Sequence, residues 1–224
     1  MRKARAGRVL MGGEAIFRVL RLSLLAALAM VQGGALYLET RSATPAVPGP
    51  MEFPPWRLSL RALQADLMRC DNALSYPRSA MMPGAVRGQA AGACLGLARQ
   101  TIARIPGHGL AHYIAALALA GTNPQGAARH LAQSARAAPR QGWLAQRRFA
   151  LAGTLPEETR RGAQGLLPSD IPVLLSTEAG ARLVAQTYLR RPALRPGIAR
   201  AAKRAEPDLQ ARLARQLRRQ VSRP

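Results

Sequence analysis

Residues Leu22 to Leu38 (LSLLAALAMVQGGALYL) form an uncharged, apolar run directly behind Arg2, Lys3, Arg5, Arg8, Arg18 and Arg21. Ile16–Phe17 and Val19–Leu20 lengthen it to a segment spanning 16–38. At ~1.5 Å of rise per residue, roughly 20 such residues cross a hydrocarbon core of ~30 Å. Arg18 and Arg21 lie where long basic side chains snorkel to the headgroups, and Tyr37 lies where an interfacial aromatic belongs. The excess of basic residues ahead of the run keeps 1–15 cytoplasmic and sends the remainder outward. The expected topology is a single-pass signal-anchor in a bacterial inner membrane, with a periplasmic C-terminal domain.

A cleaved signal peptide is the rival reading. Leu22–Val31 would be its apolar region and Gly33-Gly34-Ala35 its cleavage site, but Leu36-Tyr37-Leu38 carries the apolar character past that cut. Both readings place the bulk of the chain outside the cytoplasm; a third, a merely buried helix, does not.

Residues 39–56 follow as a linker, in which Pro45, Pro48, Pro50, Pro54 and Pro55 preclude helix and favour an extended spacer. The domain expected over 57–224 is long enough for a real core. With aromatics at 4% of the chain, that core must be assembled from Ala, Leu, Val and Ile, which suits closely packed helices. No stretch alternates as a useful strand does. The fold class is all-α: a transmembrane helix followed by an array of helical hairpins.

Charge adds a second constraint. The formal net charge is +22, almost wholly from arginine. Between Asp71 and Glu157 no carboxylate side chain occurs, while Arg78, Arg87, Arg99, Arg104, Arg129, Arg136, Arg140, Arg147 and Arg148 do. A surface lacking one sign of charge over that length carries a sizeable positive field and suits an anionic neighbour. Nucleic acid is the usual candidate for such a chain, but the expected location argues against it.

Helical spacing runs through the domain. Leu60, Leu63, Leu67, Cys70 and Leu74 form one face of a first helix. Val86, Ala90, Cys94, Leu97 and Thr101 or Ile102 form the inward face of a second, which Pro106-Gly107 stops.

Pro106, His112-Tyr113, Ala115-Ala116, Leu119, Gly121, Ala128, Leu131, Ala135 and Pro139 then fall near the spacing of a tetratricopeptide unit. The segment 106–139 resembles one such repeat, with Ala116 and Ala128 at the small positions and His112-Tyr113 in place of the aromatic pair. Its flanks, out to about Gly84 and Gly153, resemble the family more loosely. The resemblance implies stacked helical hairpins presenting a concave surface to a peptide or protein, because one unit alone cannot bury its apolar face.

Beyond it, Pro156–Leu167 predicts a short helix, and Ser169-Asp170 an N-cap for one helix reaching Tyr188-Leu189. Arg191-Pro192 and Arg195-Pro196 break the chain. A last helix runs from Pro207 to Val221, with Leu209, Leu213, Leu217 and Val221 on one stripe and Arg212, Arg215, Arg218 and Arg219 opposite. That basic face is a solvated cap of the array, a membrane-surface element or a docking helix for an acidic partner.

The two cysteines, Cys70 and Cys94, lie on inward stripes of consecutive helices at similar distances from their shared loop. A disulfide and a pair of buried thiols are both compatible with that placement. His108 and His112 are spaced i, i+4, but Gly109, Leu110 and Ala111 between them supply no acid and no third ligand is near. His108 reads as a helix cap and His112 as a packed or groove-lining residue. No Gly-rich phosphate loop, nucleophile elbow or carboxylate pair occurs. The expectation is accordingly no enzyme, no cofactor and no metal.

The sequence therefore predicts an envelope scaffold, of the kind used in polysaccharide export or cell-wall assembly. Its partner protein would be contacted around His112, Tyr113, Arg129, Arg136, Trp143 and Arg147. The alternative is direct binding of an anionic glycan or lipid by the acid-free surface.

Overall fold

The computed structural model describes residues 59–75, 82–159 and 167–222, and ahead of them Ser23 alone. The expected membrane segment (16–38), the cytoplasmic segment and the proline-rich linker lie outside the described residues. Among the described residues no helix is long and apolar enough to cross a membrane. By contacts the chain divides after Val47, and the helices described here all belong to the unit beginning at Pro48.

That unit is all-α, with no strand among the described residues. The elements are α1 (Leu60–Leu74), α2 (Gly84–Arg104), α3 (Gly109–Leu119), α4 (Pro124–Ala137), α5 (Gly142–Thr154), α6 (Leu167–Leu175), α7 (Glu178–Arg190), a 3₁₀ turn (Pro192–Leu194), α8 (Arg195–Lys203) and α9 (Pro207–Val221).

Local chemistry sets the boundaries. Ser59 Oγ accepts from the Ala62 N–H at 3.1 Å to open α1. Asn123 Oδ1 accepts from the Gly126 N–H at 2.8 Å, with Pro124 in the first turn, to open α4. His108 caps α3, its Nδ1 accepting from the Ala111 N–H at 3.2 Å. After α2 the Ile105 N–H closes on Thr101 O at 2.8 Å, and Pro106-Gly107 ends the helix as expected.

Two apolar cores result. The first gathers Leu67, Cys70, Cys94, Leu97, Tyr113, Ile114, Leu131, Leu144 and Leu151 from α1 to α5. The second gathers Ala145, Phe149, Ile171, Leu174, Val184, Ile198 and Leu213 from α5 to α9. Helix α5 belongs to both, contributing Leu144, Leu151 and Ala152 to one side and Ala145 and Phe149 to the other.

Within the first core α3 packs against α1, α2, α4 and α5, while α1 also packs on α2 and α4 on α5. Ser134, near the end of α4, donates to the Gly109 carbonyl at the start of α3 at 2.8 Å, so the two helices run antiparallel. The cysteines form a disulfide between α1 and α2, with Cα atoms 5.7 Å apart.

Three expectations need correction. Leu60, Val86 and Val221, assigned to inward stripes, are 67%, 49% and 72% exposed. Each lies in the first or last turns of its helix, beyond the neighbour that buries the rest. The single helix expected after Asp170 is two helices, because Thr177 ends one and caps the next, its Oγ1 accepting from the Gly180 N–H at 3.1 Å. Ser169 and Asp170 lie inside α6 instead of capping it.

Candidate functional site: a cleft between three helix ends

The ends of α1, α3 and α5 and the start of α2 enclose a cleft of about 550 Å³. Its walls are mainly small and apolar, with Ala91, Leu117, Ala118, Ala150 and Leu151 among them. A volume of that size is in the range of sites that take a small ligand or a few residues of peptide.

The polar side of the cleft is built on Asp71, which is fully buried at the end of α1. Its Oδ1 accepts from Tyr113 Oη at 3.1 Å and from Ser75 Oγ at 2.8 Å. Its Oδ2 stands 3.1 Å from Arg147 Nη2 in an ion pair. Burial and the adjacent Asp71 carboxylate, partly offset by Arg147, hold the Tyr113 phenol well above its ordinary pKa, so it remains a proton donor to Asp71. The Arg147 side chain is 44% exposed where it lines the cleft. The cleft thus carries a partly exposed guanidinium beside a buried carboxylate.

Of the contact residues expected from sequence, the cleft takes in Tyr113 and Arg147 and leaves out His112, Arg129, Arg136 and Trp143. His112 and Tyr113 are both buried, Tyr113 at the wall of the cleft and His112 away from it. Arg129 and Arg136 are exposed on α4, and Trp143 is 38% exposed at the start of α5.

The three histidines of the chain gather where α3 meets α4. His112 Nε2 donates to the Pro106 carbonyl at 2.9 Å. Its Nδ1 lies 3.1 Å from Nδ1 of His130. Since a carbonyl only accepts, a neutral His112 carries its proton on Nε2 and must receive the His130 Nδ1–H. Burial, followed by His112, Arg99 and Arg129, lowers the His130 pKa; burial and, more weakly, His112 lower that of His108 against its backbone hydrogen bond. Among the described residues no group of three or more His, Cys, Asp or Glu side chains is placed to hold a metal ion.

The C-terminal basic face divides. Arg212 is turned inward, donating to the Leu175 carbonyl at 2.9 Å and to the Ser176 carbonyl, where it ties down the end of α6. Arg212 therefore leaves the set expected to meet a membrane or partner, since the last carbonyls of a helix attract a cation. Arg215, Arg218 and Arg219 are exposed, with Arg219 3.9 Å from Glu178.

Two side chains that sequence reading did not single out organise the fold around the cleft: Asp71 and the fully buried Arg148. Asp71 carried a faint signal, as the last acid before a long stretch of arginines. Arg148 carried none, because its neighbour Arg147 is the same residue type and faces solvent.

Compared with protein-family models, with curated proteins and with solved structures, the chain matches none of them.

Proposed function

We propose that this protein is a membrane-anchored, periplasmic adaptor whose helical array binds a protein partner within a bacterial envelope complex, without catalysis. The observation that carries this reading is the cleft between α1, α3 and α5, with Arg147 held at its edge by buried Asp71. The antiparallel hairpin of α3 and α4, with Ala116 and Ala128 buried, supports the tetratricopeptide-like interpretation of 106–139. The disulfide supports an oxidising compartment, because such bonds rarely persist in the cytosol. The apolar run at 16–38 supports the anchor.

The test is site-specific photo-crosslinking in cells with the probe at Leu117, inside the cleft, and at Trp143, outside it. The reading expects a discrete protein adduct from Leu117 that is weak or missing from Trp143. A lipid or glycan adduct at both positions would replace it.

That second outcome has its own motivation. Arg99, Arg129, Arg136 and Arg140 are all exposed on a stretch without acids, so binding of an anionic glycan or lipid is the alternative reading. Its signature is steep weakening with salt.

A further inference from the structure

We infer that the cleft receives a short extended peptide segment that carries a carboxylate, with Arg147 as the anchor for that charge. The inference rests on the reading of the cleft as the partner site and names the chemistry of what enters it.

Arg147 is the first reason. Asp71 accepts from Tyr113 and Ser75 through Oδ1, while its buried Oδ2 stands 3.1 Å from Arg147 Nη2 in an ion pair without hydrogen-bond geometry, beside an arginine side chain that is 44% exposed. An anion arriving at the open edge meets a side chain whose freedom is already restricted, which lowers the entropic cost of binding. Between Asp71, which already pairs with Arg147, and Glu157 the sequence holds no further carboxylate side chain.

The walls are the second reason. A Cβ placed on Gly84, Gly88 or Gly121 meets nothing within 4 Å, so these cleft-lining positions offer bare backbone and open space. Bare backbone lets another main chain come close. Helices α1, α3 and α5 all end at the cleft, where the Gly153 carbonyl accepts from Arg191, Leu151 from Thr154 Oγ1, and Leu117 and Leu119 from N–H groups of the following turn. A carbonyl oxygen has two lone pairs, so a peptide N–H has acceptors along this rim that an alkyl chain cannot use. Ala118, Ala150 and Leu117 leave room for small apolar side chains between these polar edges.

The test uses the full disulfide-bonded chain in detergent micelles, presented to a random heptapeptide library with free C-termini. The expected result is enrichment of peptides that combine small apolar residues with a carboxylate. Their affinity should fall at least about tenfold in Arg147→Gln and in Gly88→Leu, and stay unchanged in Arg182→Gln, which removes an exposed arginine from α7. Gly88→Leu fills the cleft from a helical position with open space, so it blocks binding without unfolding the chain. Thermal unfolding of each variant separates lost binding from lost fold. Enriched peptides that Gly88→Leu blocks but Arg147→Gln does not would overturn the carboxylate assignment and leave the cleft as the partner site. Peptides indifferent to Gly88→Leu, or no enrichment beside Gly88→Leu-sensitive binding to phosphatidylglycerol vesicles, would overturn the peptide assignment. No enrichment and no vesicle binding would overturn the reading of the cleft as a binding site altogether.

Discussion

Arg148 and Asp170 are joined by two hydrogen bonds, Nε to Oδ2 at 2.9 Å and Nη2 to Oδ1 at 2.6 Å, with neither side chain more than 1% exposed. The same guanidinium reaches the Ser134 and Ala138 carbonyls at 3.4 and 3.3 Å. One residue of α5 thus fastens α6 to the end of α4, at the seam between the two cores. Burial pushes the Asp170 carboxyl above its ordinary pKa, while the Arg148 hydrogen bonds and charge pull it back.

Breaking this pair from one side should be severe. Arg148→Met leaves a buried carboxylate without its cation and should cost about 3–5 kcal/mol. Arg148→Met combined with Asp170→Leu removes both charges and should recover most of that loss. Denaturant titration of the wild type, the single variant and the double variant measures the difference. Equal loss in the single and double variants would show that the pair is not coupled.

Removing the Cys70–Cys94 link should weaken the first core selectively. The cysteines are 24 residues apart in sequence, and a closed loop of that size is worth about 3.5 kcal/mol in a chain-entropy account. Cys70→Ala with Cys94→Ala should lower the free energy of unfolding by about that amount, read by denaturant titration. Hydrogen exchange should rise first in α1 and α2 and least in α8. Uniform loss of protection would contradict the two-core description.

Acid should loosen the junction of α3 and α4. His130 binds its proton less readily folded than unfolded, chiefly through burial and then through His112, Arg99 and Arg129. His108 shifts in the same direction. The unfolded chain therefore holds more protons than the native one in the window just below the ordinary histidine pKa of ~6.5. Stability is complete above that value and declines as pH falls through the window toward the lower folded pKa values. Melting temperature measured from pH 7.5 to pH 5 should fall in the wild type and fall less in His130→Gln. Parallel pH profiles would rule out His130 as a source.

Glycine at position 180 should be irreplaceable. A Cβ there would run into the Leu174 carbonyl and its flanking backbone atoms, none of which is a flexible side-chain end. Gly180→Ala should cost roughly 1–3 kcal/mol through overpacking. Gly92→Ala, with nothing within 4 Å of its Cβ, should be neutral or stabilising by about 1 kcal/mol because alanine favours helix. Thermal melts of the two variants give the comparison.

The helices that could be read from sequence are those whose ends are marked by chain chemistry. Pro106-Gly107 ends α2 and Pro207 opens α9 near the residues expected. The disulfide was legible only as one of two options, because both cysteines fell on inward stripes but their depths from the shared loop could differ by roughly 2 to 8 Å, of which only the low end allows the bond. The division between α6 and α7 was not, because Thr177 reads equally well as a mid-helix residue until Gly180 is seen packed on Leu174. The site was half legible. Exposure of Arg147 follows from charge, whereas burial of Arg148 depends on Asp170, 22 residues away, and periodicity has no access to a pairing at that separation.

Because α5 is shared, the order in which the chain is delivered matters. A chain emerging N-terminus first delivers α1 to α5 with the whole first core, including Leu144, Leu151 and Ala152, before the rest of the burial of α5 is available. Until α6 brings Asp170, Arg148 has only neutral carbonyls and a hydroxyl to receive it, and Phe149 has no apolar wall to cover it. Arg147, one residue earlier, is placed by the same helix. Every residue that lines the cleft is thus present once α5 has been made, whereas the buried Arg148 beside Arg147 still waits for Asp170, so a chain cut short after α5 should carry an unpaired buried charge next to its cleft.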